Sequence, residues 1–380
     1  MYFVPSWYHE NEYKENEQYW YRRRTVTEFD DSVKQVQMFN RNNIMDYKIL
    51  NLSYCPNFRH FLHRQSVFHA PYWSCFDAIQ EIRRTKVDIL SYRDLMWPEY
   101  TEFVYTPFCI VAYVHNEKYA EIHFGEDGNM IEVFLFQSEI MVRKNVYDDR
   151  GFLSTTIVYE NNQPIYEQYL DEKGNWKLLH FFEDDHIEIN SENPYYLIGN
   201  KRFTFQSLNY GSMESLIEEV FSTYLDEMTD STDIFCLAMH TLHHDLLESL
   251  FTQRKTILSF YQNRMDLFED AELKSLIRST NYCIVDSKHK IRPLERYAGK
   301  TLPIVDITPF DTRADFGISQ QLTVQNILVP IDSIEQSKLE ALIVLFAKYF
   351  ETNETARVHF FTRVANWDRV DSVLNFTREV

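Results

Sequence analysis

Three glycines recur at a fixed interval in the middle of the sequence. Gly128, Gly151 and Gly174 are 23 residues apart, and each follows a cluster of acidic and turn-forming residues. Around these turns, residues 106–206 alternate in polarity with a period of two and are rich in Tyr, Phe, Val and Ile. Glycine readily adopts the positive φ that tight turns need. A repeat that holds two strands predicts one extended antiparallel sheet built from successive hairpins.

Helices and strands alternate on both sides of this predicted sheet. Buried strands are predicted at residues 2–5, 47–52, 233–239, 255–260, 282–285 and 302–307. Apolar residues spaced three or four apart predict helices at 29–39, 73–82, 213–225, 245–253 and 270–278. Alternation of strands with helices indicates a parallel sheet with crossover connections. We therefore expect an α/β domain into which the antiparallel sheet is inserted.

The last segment repeats the α/β pattern only twice. Strands are predicted at 326–332 and 357–361, and helices at 335–350 and 370–376. Two strand–helix units are too few for a stable Rossmann half, so we expect the second half to be incomplete. The predicted domains are 1–105 and 211–322 for the two parts of Rossmann-like domain I, 106–210 for the inserted sheet, and 323–380 for the start of domain II.

The charge balance restricts the class of partner. The 380 residues include 38 basic and 57 acidic side chains, which gives a net charge of −19. Such a field repels nucleic-acid phosphates and anionic lipid headgroups, so we expect no nucleic-acid partner. The compact basic clusters, Arg22–Arg24 and Arg83–Arg84, are predicted to be solvated helix or loop faces.

Cysteine usage and hydropathy indicate a cytoplasmic protein. The five cysteines are scattered and never form a CxxC pair, which is typical of reduced thiols. The N-terminus lacks the basic and apolar regions of a secretory signal. No apolar run approaches the ~18 residues that a membrane helix needs. We expect contact with the membrane only through partners.

Catalytic signatures are missing from the sequence. The chain has no GxGxxG, no GxxxxGK[ST], no GxSxG, no HExxH and no DxD triplet. We therefore predict no catalytic, cofactor-binding or metal-binding residues and no cofactor. Aromatic residues make up 16% of the chain, and aromatic faces stack on sugars and peptides. Most of them are nevertheless expected to pack within the core and the sheets.

Two polar clusters remain as candidates for a site. His240, His243, His244 and Asp245 follow the predicted strand 233–239, and the carboxyl ends of strands hold ligands in open α/β sheets. A zinc site would be compatible with these side chains, but a capped helix start with polar loop histidines explains them better. The second cluster, Glu183–His186, follows a predicted strand and is interpreted as a turn.

A set of short strings, taken in order, resembles a known family. The strings are residues 2–8 (YFVPSWY), 29–33 (FDDSV), 61–65 (FLHRQ), 76–80 (FDAIQ), 308–313 (TPFDTR), 317–321 (GISQQ) and 327–332 (ILVPID). Their order and spacing are similar to those of the first of the three accessory secretory proteins of the accessory Sec system. That system occurs in streptococci, staphylococci and lactobacilli. The resemblance extends along the whole chain.

The resemblance implies a fold and a function. The implied fold is a GT-B, glycosyltransferase-like double Rossmann architecture with an extended antiparallel sheet inserted in its first half. The implied function is non-catalytic. With the second and third accessory secretory proteins, such a protein delivers a glycosylated serine-rich-repeat adhesin to a dedicated SecA motor and SecY channel. It would associate with this membrane translocase only through partners.

Alternatives to an export subunit remain open at this point. A GT-B glycosyltransferase acting on the Ser/Thr-rich adhesin, or the non-catalytic chaperone subunit of such an enzyme, would use the same scaffold. In every case the loops that follow the strands of domain I would form the edge of a cleft. The predicted cleft-lining residues are Ser6, Trp7, His240, His243 and His244.

Overall fold

The structure is a computed structural model, and it describes residues 1–6, 31–239, 249–261, 273–307, 324–332, 334–362 and 373. The chain divides into two compact units, Met1–Phe310 and Asp311–Val380. The first unit holds a parallel sheet and an antiparallel sheet, and the second holds a small parallel sheet. The predicted α/β class with an inserted antiparallel sheet is confirmed. The exact domain boundaries stay predictions.

The parallel sheet of the first unit has seven strands. They are β1 (Tyr2–Ser6), β2 (Tyr47–Asn51), β3 (Tyr72–Ser74), β16 (Ile234–Ala238), β17 (Lys255–Phe260), β18 (Tyr282–Val285) and β19 (Ile304–Asp306). Their spatial order is β19-β18-β17-β16-β1-β2-β3, and every neighbouring pair is parallel. The strand order therefore reverses between β1 and β16, which is the position of ligand sites in doubly wound sheets.

Six helices whose two ends are both described connect or flank the strands of this unit. They are α1 (Asp31–Arg41), α2 (Phe58–Arg64), α3 (Cys75–Ile79), α4 (Met213–Met228), α5 (Lys274–Ser279) and α6 (Ile291–Ala298). The Ser74 and Ser212 hydroxyls cap α3 and α4 by accepting backbone N–H groups. Of the helix predicted at 245–253, residues 249–253 are described; 249–251 are helical and 252–253 form a turn. No helix in the described ranges is both long and apolar enough to cross a membrane.

The helix predicted at 73–82 was partly wrong. Residues 72–74 form strand β3, because Tyr72, Trp73 and Ser74 pair in register with Ile49, Leu50 and Asn51 of β2. The helix starts only at Cys75, after the Ser74 cap, and ends at Ile79. Sheet pairing has thus overridden the helical spacing of the apolar residues at the start of this segment.

The antiparallel sheet has ten strands. They are β4 (Thr101–Tyr105), β5 (Ile110–Val114), β6 (Glu117–Phe124), β7 (Met130–Gln137), β8 (Ile140–Asp148), β9 (Phe152–Glu160), β10 (Gln163–Leu170), β11 (Trp176–Phe181), β12 (Ile187–Ile189) and β15 (Asn209–Tyr210). Strands β4 to β12 are adjacent in chain order, and β15 pairs with β12. Strands β13 (Tyr195–Ile198) and β14 (Lys201–Thr204) form a separate hairpin. The sheet starts ahead of the predicted residue 106.

The three regularly spaced glycines lie where they were predicted. Gly128, Gly151 and Gly174 occupy the β6–β7, β8–β9 and β10–β11 turns with φ of 83°, 89° and 84°. A Cβ atom at Gly128 or Gly174 would meet no atom within 4 Å. At Gly151 it would lie 1.7 Å from the carbonyl oxygen of Asp88. Of the three glycines, only Gly151 is therefore packed directly against another part of the chain.

A joint connects the two sheets of the first unit, and Arg150 lies at its centre. The Arg150 side chain is 9% exposed. Its guanidinium donates two hydrogen bonds to Asp77, after β3, and two to Asp148, each at 2.7–2.8 Å. Bidentate pairs of this kind fix orientation as well as adding energy. The turn at the end of β8 is thereby held against α3.

Four further hydrogen bonds extend the joint along the segment after α3. The Gln80 amide donates to the Leu170 carbonyl at 2.7 Å and to that of Ser154 at 3.0 Å. Lys177, whose side chain is fully buried, donates to Glu81 at 2.8 Å. Arg84 donates to the Gly151 carbonyl at 3.2 Å. Arg84 was predicted to be a solvated basic residue, and this contact corrects that prediction, whereas Arg83 is exposed. Arg22–Arg24 lie outside the described residues.

The main hydrophobic core is shared by both sheets. Leu237 of β16 and Phe221 of α4 belong to the same buried cluster as Tyr169, Leu178 and Ile189 of the antiparallel sheet. A second buried cluster lies on the opposite face of the antiparallel sheet, toward its β4 edge. There Tyr92 packs with residues such as Ala120 and Val133. The base of the antiparallel sheet is therefore part of the α/β core.

The second unit has a small core of its own. Strands β20 (Gln325–Pro330) and β21 (Ala356–Phe361) pair in parallel, and helix α7 (Gln336–Phe350) connects them. Val329, Leu339, Ile343 and Val373 are buried together. This confirms the predicted strand–helix–strand sequence. Of the helix predicted at 370–376, only Val373 is among the described residues.

Candidate functional site

Of the residues predicted to line a cleft, the structure describes only Ser6. Ser6, the last residue of β1, is 1% exposed, and its hydroxyl donates to the Val4 carbonyl at 3.3 Å. Its own carbonyl accepts the Leu52 N–H at 2.9 Å. Ser6 is therefore hydrogen-bonded within the end of the sheet and does not face open solvent. Trp7, His240, His243 and His244 lie outside the described residues, so their grouping at the carboxyl edge of the parallel sheet stays a prediction.

Among the described residues, a pocket that holds about 370 Å³ of space, open solvent included, lies farther along the same edge. Its walls come from the first turns of α1 and from the ends of β17, β18 and β19. The lining residues are Asp31, Gln35, Met38, Ser259, Phe260, Tyr261, Ile284, Asp286 and Ile307. Carboxyl ends of strands and a helix that follows β1 are the usual boundaries of ligand sites in doubly wound folds.

Two carboxylates dominate the polar lining of this cavity. Asp31 is 2% exposed and accepts a hydrogen bond from the Gln35 amide at 3.4 Å. Asp286 forms an ion pair with Lys290 at 2.7 Å, and Lys290 also donates to the Phe260 carbonyl at 3.1 Å. Carboxylates accept hydrogen bonds from hydroxyl groups and repel phosphates. The two carboxylates could therefore accept hydrogen bonds from the hydroxyl groups of a ligand.

Sequence reasoning missed both carboxylates. Asp31 is the first residue of α1, and Asp286 directly follows the buried strand β18. Acidic residues at strand ends and at the start of a helix were the available signal. The histidines after β16 were the predicted candidates instead. Among the described residues, no group of three His, Cys, Asp or Glu side chains is arranged to hold a metal ion.

A second, smaller cavity lies at the joint, between α2 and the β8–β9 turn. Cys55, Phe58, Tyr72 and Arg150 contribute to its walls together with Asp149. The Asp149 carboxylate accepts the His60 N–H at 3.0 Å. Burial, aided by the neighbouring charge of Asp148, raises the pKa of Asp149 to about 7. This carboxyl group therefore titrates near neutral pH.

The Glu183–His186 segment is a turn, as predicted. It connects β11 to β12, and its acidic residues are exposed. Asp185 pairs with His180 at 2.6 Å, and Asp184 pairs with His186. These contacts raise the pKa of His186 and lower that of Asp184.

All five cysteines are free thiols, and burial raises the pKa of the Cys236 thiol to about 12.

The chain is similar in sequence to curated proteins of one family. The model of the accessory Sec system protein family, accessory secretory protein 1, matches residues 1–380. The relative from Streptococcus gordonii is 31% identical over 340 residues, which are 88% of this chain and 63% of that protein. The relative from Staphylococcus aureus is 28% identical over 371 residues, or 96% of this chain and 70% of that protein. The chain thus spans less than two thirds of the gordonii relative.

Solved structures share the fold. A complex of accessory secretory proteins 1, 2 and 3 from Streptococcus pneumoniae contains a chain with 26% identity and a TM-score of 0.81, covering 100% of this chain and 76% of that one. A glycosylation-associated protein complex from Streptococcus agalactiae matches with 27% identity and a TM-score of 0.79, covering 100% of this chain and 75% of that one.

Glycosyltransferases share the fold at lower identity. The pneumococcal O-GlcNAc transferase GtfA has a TM-score of 0.62 at 10% identity, covering 100% of this chain and 74% of that one. At this identity the likeness concerns the fold alone. Together with the strand order of the parallel sheet and the inserted sheet, it confirms the GT-B-like architecture. Because the family model matches every residue, this chain belongs to the accessory Sec system family of accessory secretory protein 1.

Proposed function

We propose that the chain acts as a non-catalytic subunit of the accessory Sec export machine. In this role it binds a glycosylated serine-rich-repeat adhesin and assembles with the second and third accessory secretory proteins. The assembly delivers the adhesin to the dedicated SecA motor and SecY channel. The observation that carries the proposal is the family match along the whole chain. A related chain in a complex of three accessory secretory proteins supports the assembly.

Electrostatics supports a role without sugar transfer. The net charge of −19 opposes the diphosphate of a nucleotide sugar. At the carboxyl edge, Asp31 and Asp286 line the larger cavity, and Lys290 is already paired with Asp286. An acidic edge of this kind suits glycan hydroxyls better than a charged donor. The proposed location is the cytoplasm, with attachment to the membrane translocase only through partner subunits.

A second candidate function follows from the fold. The likeness to the O-GlcNAc transferase favours a glycosyltransferase, or the chaperone subunit of one, acting on the Ser/Thr-rich adhesin. The two candidates differ in turnover and in partners. An enzyme consumes nucleotide sugar, a chaperone subunit co-purifies with a transferase, and an export subunit co-purifies with secretion proteins.

The decisive experiment is affinity capture of the tagged chain from its native cytosol, followed by mass spectrometry. We expect the second and third accessory secretory proteins, the dedicated SecA motor and the adhesin. The purified chain should release no nucleoside diphosphate when it is mixed with nucleotide sugar and adhesin peptide. Saturable turnover, or capture of a glycosyltransferase alone, would refute the export proposal.

A further inference from the structure

One row of side chains crosses all ten strands of the antiparallel sheet on a single face. Directly paired residues of neighbouring antiparallel strands point to the same side of a sheet. The register therefore puts ten residues on one face. In order from β4 they are Val104, Val111, Glu121, Phe134, Lys144, Ile157, Glu167, His180, Ile187 and Tyr210.

The charged members of the outer half of this row are held in place. Lys144 forms an ion pair with Glu132, and their side chains are only 23% and 16% exposed. Lys118 pairs with Glu121 at 2.6 Å, with side chains 21% and 28% exposed. Charged side chains on an open sheet face normally extend into water. Here they lie against the sheet, so their positions are fixed.

Aromatic rings lie among these ion pairs. The Lys118 ammonium is 3.8 Å from the centroid of the Phe136 ring, and the Lys144 ammonium is 5.6 Å from that of Phe134. The His123 ring meets Phe134 edge to face at 5.1 Å. Both phenylalanines are half-buried. Cation–π contacts and the edge-to-face contact keep the rings in fixed orientations.

The four charged groups around the two rings balance one another, although the chain is strongly acidic and the exposed Glu102 of β4 lies on the same face. Two lysines, Lys118 and Lys144, oppose two glutamates, Glu121 and Glu132, whereas the whole chain carries −19. A balanced surface gives no electrostatic preference for a polyanion or a polycation. Its complement is an uncharged ligand. Fixed aromatic faces beside fixed hydrogen-bonding groups are the usual requirements for binding a neutral sugar.

We propose that this surface, the ladder face (Lys118, Glu121, Glu132, Phe134, Phe136 and Lys144), binds the neutral glycans of an O-glycosylated serine-rich peptide. The inference rests on the proposed function. It places a glycan-binding surface on the inserted antiparallel sheet, in addition to the carboxyl edge of the parallel sheet. A sugar ring stacks on Phe134 or Phe136, and its hydroxyl groups bond to the paired carboxylates and ammonium groups.

The test uses two synthetic probes and matched variants of the chain. The probes are a serine-rich peptide carrying O-linked N-acetylglucosamine and the same peptide without sugar. Binding is measured by isothermal titration calorimetry. The Phe134→Ala/Phe136→Ala double variant should bind the glycopeptide about tenfold more weakly, since each lost ring removes one stacking contact. Lys144→Gln should also weaken binding while leaving the ring faces in place.

The control is Arg143→Gln. Arg143 precedes Lys144 on the same strand, pairs with Leu135 and Val158, and points to the opposite face. The Arg143→Gln substitution removes one positive charge, as Lys144→Gln does, but on the other face of the sheet. It should therefore leave glycopeptide binding unchanged. Thermal melting of each variant distinguishes loss of binding from loss of folding, and Lys144→Gln keeps the test valid if the double variant is unstable.

Each outcome separates the two proposals. If the unaltered chain does not distinguish the glycopeptide from the bare peptide, the adhesin-binding part of the proposed function fails. If it does distinguish them and the ladder-face variants bind normally, only the present inference fails. Equal losses in Arg143→Gln and Lys144→Gln would also overturn it. Loss of partner-subunit binding with normal glycopeptide binding would overturn it and identify the face as a subunit contact.

Discussion

Asp149→Asn should stabilise the first unit above neutral pH. Asp149 is buried beside Asp148, and burial raises its pKa to about 7. In the unfolded chain a carboxyl group titrates near pH 4. The folded state therefore holds the proton more tightly, so stability is lost as the pH rises from about 4 to about 7. Above pH 7 the loss is complete, and replacing the carboxylate with an amide removes it.

The magnitude follows from the pKa difference. A difference of about 3 pH units at about 1.4 kcal/mol per unit gives an upper bound of about 4 kcal/mol. Asp149 retains 8% exposure, so water lowers the cost of its charge. The amide oxygen can still accept the His60 N–H, which preserves the hydrogen bond. We expect a gain of about 2 kcal/mol at pH 8 and less than half of that at pH 5.

The assay is urea unfolding followed by tryptophan fluorescence at pH 8 and pH 5. The control is Asp148→Asn, the same chemical change one residue earlier. It removes a carboxylate that holds Arg150 and should destabilise the unit by about 3 kcal/mol. A lower urea midpoint for Asp149→Asn at pH 8, or an equal gain at both pH values, would show that the reasoning about burial is wrong.

Three further predictions concern turns, caps and thiols. Gly151→Ala should destabilise the first unit by more than about 3 kcal/mol, because its Cβ would overlap a carbonyl oxygen across the joint; Gly174→Ala, with similar φ and open space, should cost only about 1–2 kcal/mol. Urea unfolding of both variants checks this, and equal losses would contradict it. Ser74→Ala should cost about 1 kcal/mol through the lost cap of α3, seen as a lower urea midpoint. Alkylation of the folded chain at pH 8 should label Cys109 and spare Cys236, whose thiol is buried; peptide mass spectrometry reads the pattern, and fast labelling of Cys236 would contradict it.

The sheet architecture was predictable because its signals are local. Turn glycines report positive φ directly, and Gly128, Gly151 and Gly174 therefore marked their hairpins correctly. Strands and helices of the α/β part were recognisable from hydrophobic spacing. The start of α3 was not recognisable in this way, because strand β3 forms by pairing with β2. A local hydrophobic pattern does not show which strands pair.

The functional surfaces were harder to predict because they combine distant segments. The larger cavity joins Asp31 to Asp286, far apart in the sequence. The ladder face depends on register, and bulges shift that register within several strand pairs. Period-two alternation shows that a strand has two faces, but it does not show which residues of neighbouring strands lie side by side. Arg84 was misjudged for the same reason, since its acceptor, the Gly151 carbonyl, is in the distant β8–β9 turn.

The position of β16 beside β1 also bears on how the chain folds during synthesis. β3 ends at Ser74 and β16 begins at Ile234, so the ribosome must add about 160 residues before the parallel sheet can continue. At about 5–20 residues per second this takes roughly 8–30 seconds. The antiparallel hairpins, whose contacts are local, emerge within that interval and can form first. The early strands, which are rich in apolar residues, remain without their central neighbour throughout it. We therefore expect the nascent chain to depend on a chaperone until β16 has been made.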